Sequence, residues 1–134
     1  PIARHYREAP VNAIWEGSGN VMCLDVLRAL SREGDAAIAV LHYLTAVTMG
    51  LPGAAEAVGF IAKAFGEPDV ERVARRAVEK LALVAAAAAL NEISPRHAEL
   101  FAATRLAEDH GSLYGAVDLA DADIRGLLDR ALPQ

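Results

Sequence analysis

Residues 4–30 read RHYREAPVNAIWEGSGNVMCLDVLRAL. The stretch decides the fold because it holds a stop, a turn and a start. Pro10 lacks an N–H and pushes the residue before it out of helical geometry, so a helix running through residues 2–8 ends there. Residues 11–15 are a short apolar connector, for which an extended conformation is one option. Gly17-Ser18-Gly19-Asn20 is a turn. Ser18 or Asn20 can cap the next helix, because either side-chain oxygen accepts from the unpaired N–H groups of a first helical turn. From Asn20 to Arg32, Val21, Leu24, Leu27, Val26 and Leu30 recur at helical spacing and predict a broad apolar face. Asp25, Arg28 and Arg32 mark the wet side, with Asp25 and Arg28 spaced to pair at i,i+3. Gly34 is expected to stop this helix.

Outward from this junction the same pattern repeats. A helix is predicted from Asp35 to about Met49, with Val40, Leu41, Leu44, Val47 and Thr48 on one face. Gly50-Leu51-Pro52-Gly53 breaks it. Ala54 to Phe65 carries Val58, Ile61, Ala62 and Phe65 on one stripe, and Gly66 ends it. Glu67-Pro68-Asp69 restarts the chain as one long helix to about Ile93. Its first half has a buried stripe (Val70, Val73, Ala74, Ala77, Val78, Leu81) and a charged face (Arg72, Arg75, Arg76, Glu79, Lys80). Its second half has no polar face until Asn91 and is expected to pass through the middle of a bundle. Ser94-Pro95 is an N-cap followed by proline at the first helical position, opening a helix to about Asp109 that Gly111 closes. Asp118, Asp121 and Asp123 introduce a last helix with Ile124, Leu127, Leu128 and Ala131 inside, its acids early and Arg130 late to suit the helix dipole. No strand-like alternation of useful length occurs. The reading is all-α: one up-and-down helical bundle spanning residues 1–134.

Composition narrows the function. The chain has 134 residues, about one domain, and is 54% hydrophobic, enough for a core. Only 5% is aromatic and alanine is abundant, so helices are expected to approach closely over small side chains. The net charge of −5 disfavours a nucleic-acid-binding domain. A single cysteine, Cys23, forms no internal disulfide, which fits a reducing, cytoplasmic setting. The most apolar run, residues 81–90, is about half the length of a membrane span. The sequence opens on Pro1 inside what reads as the end of a helix, so a piece of a longer protein is expected.

Chemistry concentrates at the junction. Glu16 lies near the positive end of a helix dipole. Walled by Ile14, Trp15 and a ligand it would lose water, and desolvation raises a carboxylate's pKa and makes it a better base near neutral pH. The alternative is a glutamate that only complements the helix N-terminus. Gly17-Ser18-Gly19-Asn20 can likewise be read two ways: as a close backbone approach to a ligand at a helix N-terminus, or as a capped turn. It is not a dinucleotide fingerprint, lacking a βαβ context and a third glycine in register. His5, His42, His97 and His110 have no metal-ligand spacing with one another or with Cys23, so no metal site is expected. Ser18 and Ser94 are read as having no histidine partner in sequence. Arg72, Arg75 and Arg76, interleaved with Glu71 and Glu79, read as a solvated face.

Arg7-Glu8-Ala9 followed by Ile14-Trp15-Glu16-Gly17-Ser18 resembles the C-terminal domain of the acyl-CoA dehydrogenases, which carry Arg-Asp-Ala and then Ile-Tyr-Glu-Gly-Thr at this spacing. Trp15-Glu16-Gly17-Ser18-Gly19-Asn20 and the Met22-Cys23-Leu24-Asp25-Val26-Leu27-Arg28 run are closer to the AidB-type, adaptive alkylation-response branch. The resemblance is strong over residues 4–30 and faint beyond, with Gly111-Ser112-Leu113-Tyr114-Gly115 similar to the family's closing segment. It implies that Glu16 takes an α-proton from an acyl-CoA thioester while FAD accepts the β-hydride and passes electrons to an acceptor. It implies that Trp15, Gly17, Ser18, Gly19 and Asn20 lie at the cofactor. It implies a parent protein that is a homo-oligomer with an N-terminal helical domain and a middle β domain, so that this chain alone folds but does not turn over. Trp15, Ser18 and Asn20 depart from the tyrosine, threonine and glutamine usual in dehydrogenases. The AidB-type branch therefore stands as a second reading, a DNA-damage-response flavoprotein with little dehydrogenase activity that approaches DNA through Arg28, Arg32 and the Arg72–Arg76 face.

Overall fold

The computed structural model describes residues 2–14, 18–107 and 119–132. Those residues form an all-α bundle: α1 (Ile2–Glu8), α2 (Gly19–Arg32), α3 (Gly34–Val47), α4 (Ala54–Phe65), α5 (Ala74–Ile93), α6 (Pro95–Arg105) and α7 (Asp121–Ala131). Helices α2 to α6 run in sequence with short connections. The 20-residue α5 is the central element, packed by α4 and α6 and also by α2 and α3.

The centre is small-sided, as the alanine content predicts. Leu44, Ile61, Val84 and Leu106 meet among Ala54, Ala57, Ala87, Ala88 and Ala102, all buried. Two polar ties close the α3–α5 seam. Asn91 Nδ2 donates to the carbonyl of Val47 at 2.9 Å, and the Tyr43 hydroxyl donates to Glu92. Thr48 is buried because its hydroxyl donates to the Leu44 carbonyl at 2.7 Å and needs no water.

The turn before α4 depends on glycine. Gly50 and Gly53 both have positive φ, 87° and 69°. At Gly53 a side chain would also collide with backbone, since a Cβ would stand 2.5 Å from the carbonyl carbon of Leu106. The end of α6 can lie on this turn only because nothing projects from it.

Several expectations are corrected. The connector after Glu8 is a 3-10 helix over Ala9–Ala13, with Pro10 at its start, so proline tightened the chain there without extending it. Gly34 does not stop a helix: it is the first residue of α3, and Glu33 alone separates the two helices. The helix predicted from Glu67 is interrupted. Val70–Arg72 is a 3-10 turn held by i→i+3 bonds from Arg72 to Asp69 and from Val73 to Val70, and α5 proper begins at Ala74. Helix α6 ends at Arg105, where the N–H groups of Leu106 and Ala107 both reach the Ala102 carbonyl.

Faces also shifted. On α2 the buried position is Cys23, flanked by half-buried Val26, Leu27 and Leu30, while Val21 and Leu24 are exposed. On α3 the exposed Val40 lies outside the stripe, and on α4 the same is true of Ala62. The second half of α5 is apolar all round but covered on one side only: Ala82, Ala85, Ala86 and Ala89 are exposed. No residue of α7 is buried, against the expectation that Ile124, Leu127, Leu128 and Ala131 lie inside. No helix of the described residues is long and apolar enough to cross a membrane.

Candidate functional site

Trp15, Glu16 and Gly17 lie outside the described residues, as do His110 and the Gly111–Gly115 segment. What the structure places is the other half of the junction. Ser18 is extended (φ −66°, ψ 159°), and α2 starts at Gly19. The Met22 N–H reaches the Ser18 carbonyl at 3.1 Å, closing the first helical bond. Ser18 occupies the N-cap position, but its hydroxyl makes no capping bond, and the first turn carries no acidic residue. The positive end of a 14-residue helix is therefore presented without a neutralising carboxylate from its own first turn.

Ser18, Gly19 and Asn20 are all exposed. A Cβ on Gly19 would meet Arg75 Nη2 at 3.6 Å, an ordinary contact. Packing among the described residues thus does not demand glycine there. Arg75 stands beside the N-terminus of α2 and has no ion pair among the described residues.

The arginine face is exposed as predicted but is not uniform. Arg72 pairs with Asp69 at 3.7 Å, Arg75 approaches Gly19, and the Arg76 guanidinium lies 4.7 Å from the centre of the Phe60 ring. Arg76 and Lys80 border a cleft of about 530 Å³ with Glu56 and Glu79, so its charge is mixed. Arg28 is paired with Asp25, as the i,i+3 spacing predicted.

One sequence reading was wrong. Ser94 does have a histidine partner: its Oγ lies 2.6 Å from His97 Nδ1. The cause is helical geometry, since an N-cap residue and the residue three positions on share the first turn. The pair closes the start of α6. Among the described residues no group of three His, Cys, Asp or Glu side chains is placed to hold a metal ion.

A 32-residue segment of the chain is 69% identical to the protein named "Putative acyl-CoA dehydrogenase AidB" of Escherichia coli (strain K12). The match takes in 24% of this chain and 6% of that protein. No family model matches the chain, and no solved structure matches it. The likeness is therefore close but short, and it links one segment of the chain to a protein of that name.

Sequence reasoning missed Arg75 as a neighbour of the junction. Nothing in the spacing of residues 19 and 75 could reveal it, because the approach is made by α2 packing on α5.

Proposed function

We propose that this chain is the C-terminal helical domain of an FAD-dependent, acyl-CoA dehydrogenase-like oxidoreductase, with Glu16 as its base. The observation that carries the reading is the 69% identity over 32 residues to a protein of that designation. The junction's chemistry is compatible with it. The α-proton of a thioester is weakly acidic, so its removal needs a positioned, partly desolvated carboxylate, and Glu16 immediately precedes Gly17-Ser18-Gly19-Asn20 in sequence.

The described residues fit a flavin cofactor in one respect. Ser18, Gly19 and Asn20 are exposed, and the first turn of α2 has neither a side-chain cap from Ser18 nor an acidic residue of its own. The N–H groups of a first helical turn donate to anionic or carbonyl groups of a ligand. Trp15 and Gly17 complete the proposed contact set. FAD, when bound, supplies the hydride acceptor. The chain's own part is to hold Glu16 against the α-carbon, accept its proton, and offer the α2 terminus to the cofactor. Acyl-CoA is the substrate class, and a separate acceptor reoxidises the flavin. The remaining walls of the pocket belong to N-terminal helical and middle β domains, so residues 1–134 alone are expected to be folded and inactive.

The test is anaerobic bleaching of the flavin in the full-length protein by a panel of acyl-CoAs, beside the Glu16→Gln variant. Bleaching that the variant abolishes, by at least about a hundredfold in rate, establishes the dehydrogenase and its base. Flavin bound but unbleached by every thioester sinks that reading. It leaves the DNA-associated one, for which affinity that falls steeply with salt is the signature.

A further inference from the structure

We infer that α7 is a latched arm: it docks on the bundle through its N-terminal end, and the Arg96–Asp123 ion pair is a latch that ionic strength opens. The place of contact carries the inference. Leu119, Ala120 and Asp123 share a cavity of about 210 Å³ with Arg96, Leu100 and Pro52. Beyond Asp123 no residue of α7 lines that cavity, and none is buried. Ile124, Leu127 and Leu128 stay 41%, 37% and 51% exposed with the arm in place. Among the described residues α7 packs extensively against no other helix.

The pair differs from the others. The other four ion pairs among the described residues join side chains three or four positions apart. Arg96–Asp123 joins two helices. Its carboxylate is also the most enclosed: the Asp123 side chain is 18% exposed, against 54% or more for the carboxylates of the other pairs. A half-buried carboxylate that loses its cation keeps its desolvation cost without the attraction that offset it. Undocking α7 returns that carboxylate to water, so the docked position depends on Arg96.

Helix ends fix the sign. Arg96 lies in the first turn of α6, which holds no acidic residue, so a cation stands at the positive end of a helix. Asp123 lies in the first turn of α7, where a carboxylate is favoured. The bond therefore relieves α6 and suits α7.

The latch is built to reopen. Arg96 also reaches Glu99 of its own helix at 3.1 Å. Glu99 stays with α6 when α7 leaves, so Arg96 keeps a charge partner in both states and opening breaks one pair only. Salt screens a pair whose cation is this exposed, which shifts the balance toward the open state. Release uncovers Pro52, in the turn before α4, and Leu100 on α6.

The experiment is time-resolved energy transfer on the 134-residue chain. Dyes are placed on Ala89→Cys of α5 and Asp129→Cys of α7, both exposed positions, in a Cys23→Ala background. At low salt this parent is expected to show one narrow distance. Arg96→Gln leaves the sequence of α7 untouched and takes a cation from the start of α6, so its effect reports docking and not helix loss. It is expected to raise the population at other distances about fivefold. Asp123→Asn should do the same, and the double variant should open the arm no further than either single one. About 1 M sodium chloride should open the parent to the same extent and add nothing to Arg96→Gln. Glu99→Gln should leave the arm docked. A parent already broad at low salt, an Arg96→Gln chain that stays narrow, additive single changes, a distance indifferent to salt, or a Glu99→Gln change as disruptive as Asp123→Asn each overturns the proposal. None of these readouts involves flavin, so the outcome is independent of the proposed function.

Discussion

Gly53 shows how one residue settles a connection. Its left-handed φ and the Leu106 backbone at 2.5 Å from a would-be Cβ leave a side chain no place. Gly53→Ala is expected to cost about 2–3 kcal/mol, from backbone strain and forced separation of α4 from the end of α6, read as a lower urea midpoint. Tyr43 makes a second prediction. Its hydroxyl donates to Glu92, and this bond, with the nearby negative charge, raises its pKa above the usual 10.0. A group with a raised folded-state pKa adds stability that is fully present below its unfolded value and lost as pH rises through the folded one. The α3–α5 tie should therefore hold at neutral pH and fail only above about pH 10. A spectroscopic titration of tyrosine ionisation should show one late residue that moves earlier in Glu92→Gln. At the proposed site, the start of α2 after Ser18 was legible in the sequence, because glycine and a capping residue before an apolar helix are a local pattern. Arg75 beside Gly19 was not, because it comes from an element 56 positions away (75 minus 19).

Among the elements, α5 was read correctly in its first half and misread in its second. Periodicity finds the buried stripe where charges contrast with it, as at Ala74 and Ala77. In the alanine run there is no contrast, and only packing decides which alanines face inward: Ala87 and Ala88 are buried, Ala86 and Ala89 exposed. Ala87→Leu should thus lower stability by about 1–3 kcal/mol, because α4 and α6 approach too closely to admit it. Ala86→Leu, on the open side of the same helix, should stay within about 0.5 kcal/mol. Equilibrium urea unfolding of the pair separates the two faces. Helix α7 failed differently. Its amphipathic pattern predicted burial of Ile124, Leu127, Leu128 and Ala131, but a pattern does not supply a partner, and among the described residues none of the four is buried.

At the scale of the molecule, the core lies along α5, where α4 and α6 close on Ile61, Val84 and Leu106. Opening free energy rises with burial, so native-state hydrogen exchange should be slowest in the middle of α5 and the facing turns of α4 and α6. It should be fastest in α1 and α7, whose described side chains include none that is buried. Slow exchange throughout α7 in a monomeric sample would contradict this picture. The sequence by itself determined that the chain is all-α and where most helices run. Those properties depend on local spacing, on proline and glycine, and on capping side chains. Only the tertiary structure decided which face of each helix is covered, that Thr48 is buried, that Gly53 must be glycine, and that Arg75 stands at the α2 terminus. These depend on contacts between residues distant in the chain, and burial is a property of the neighbour as much as of the residue.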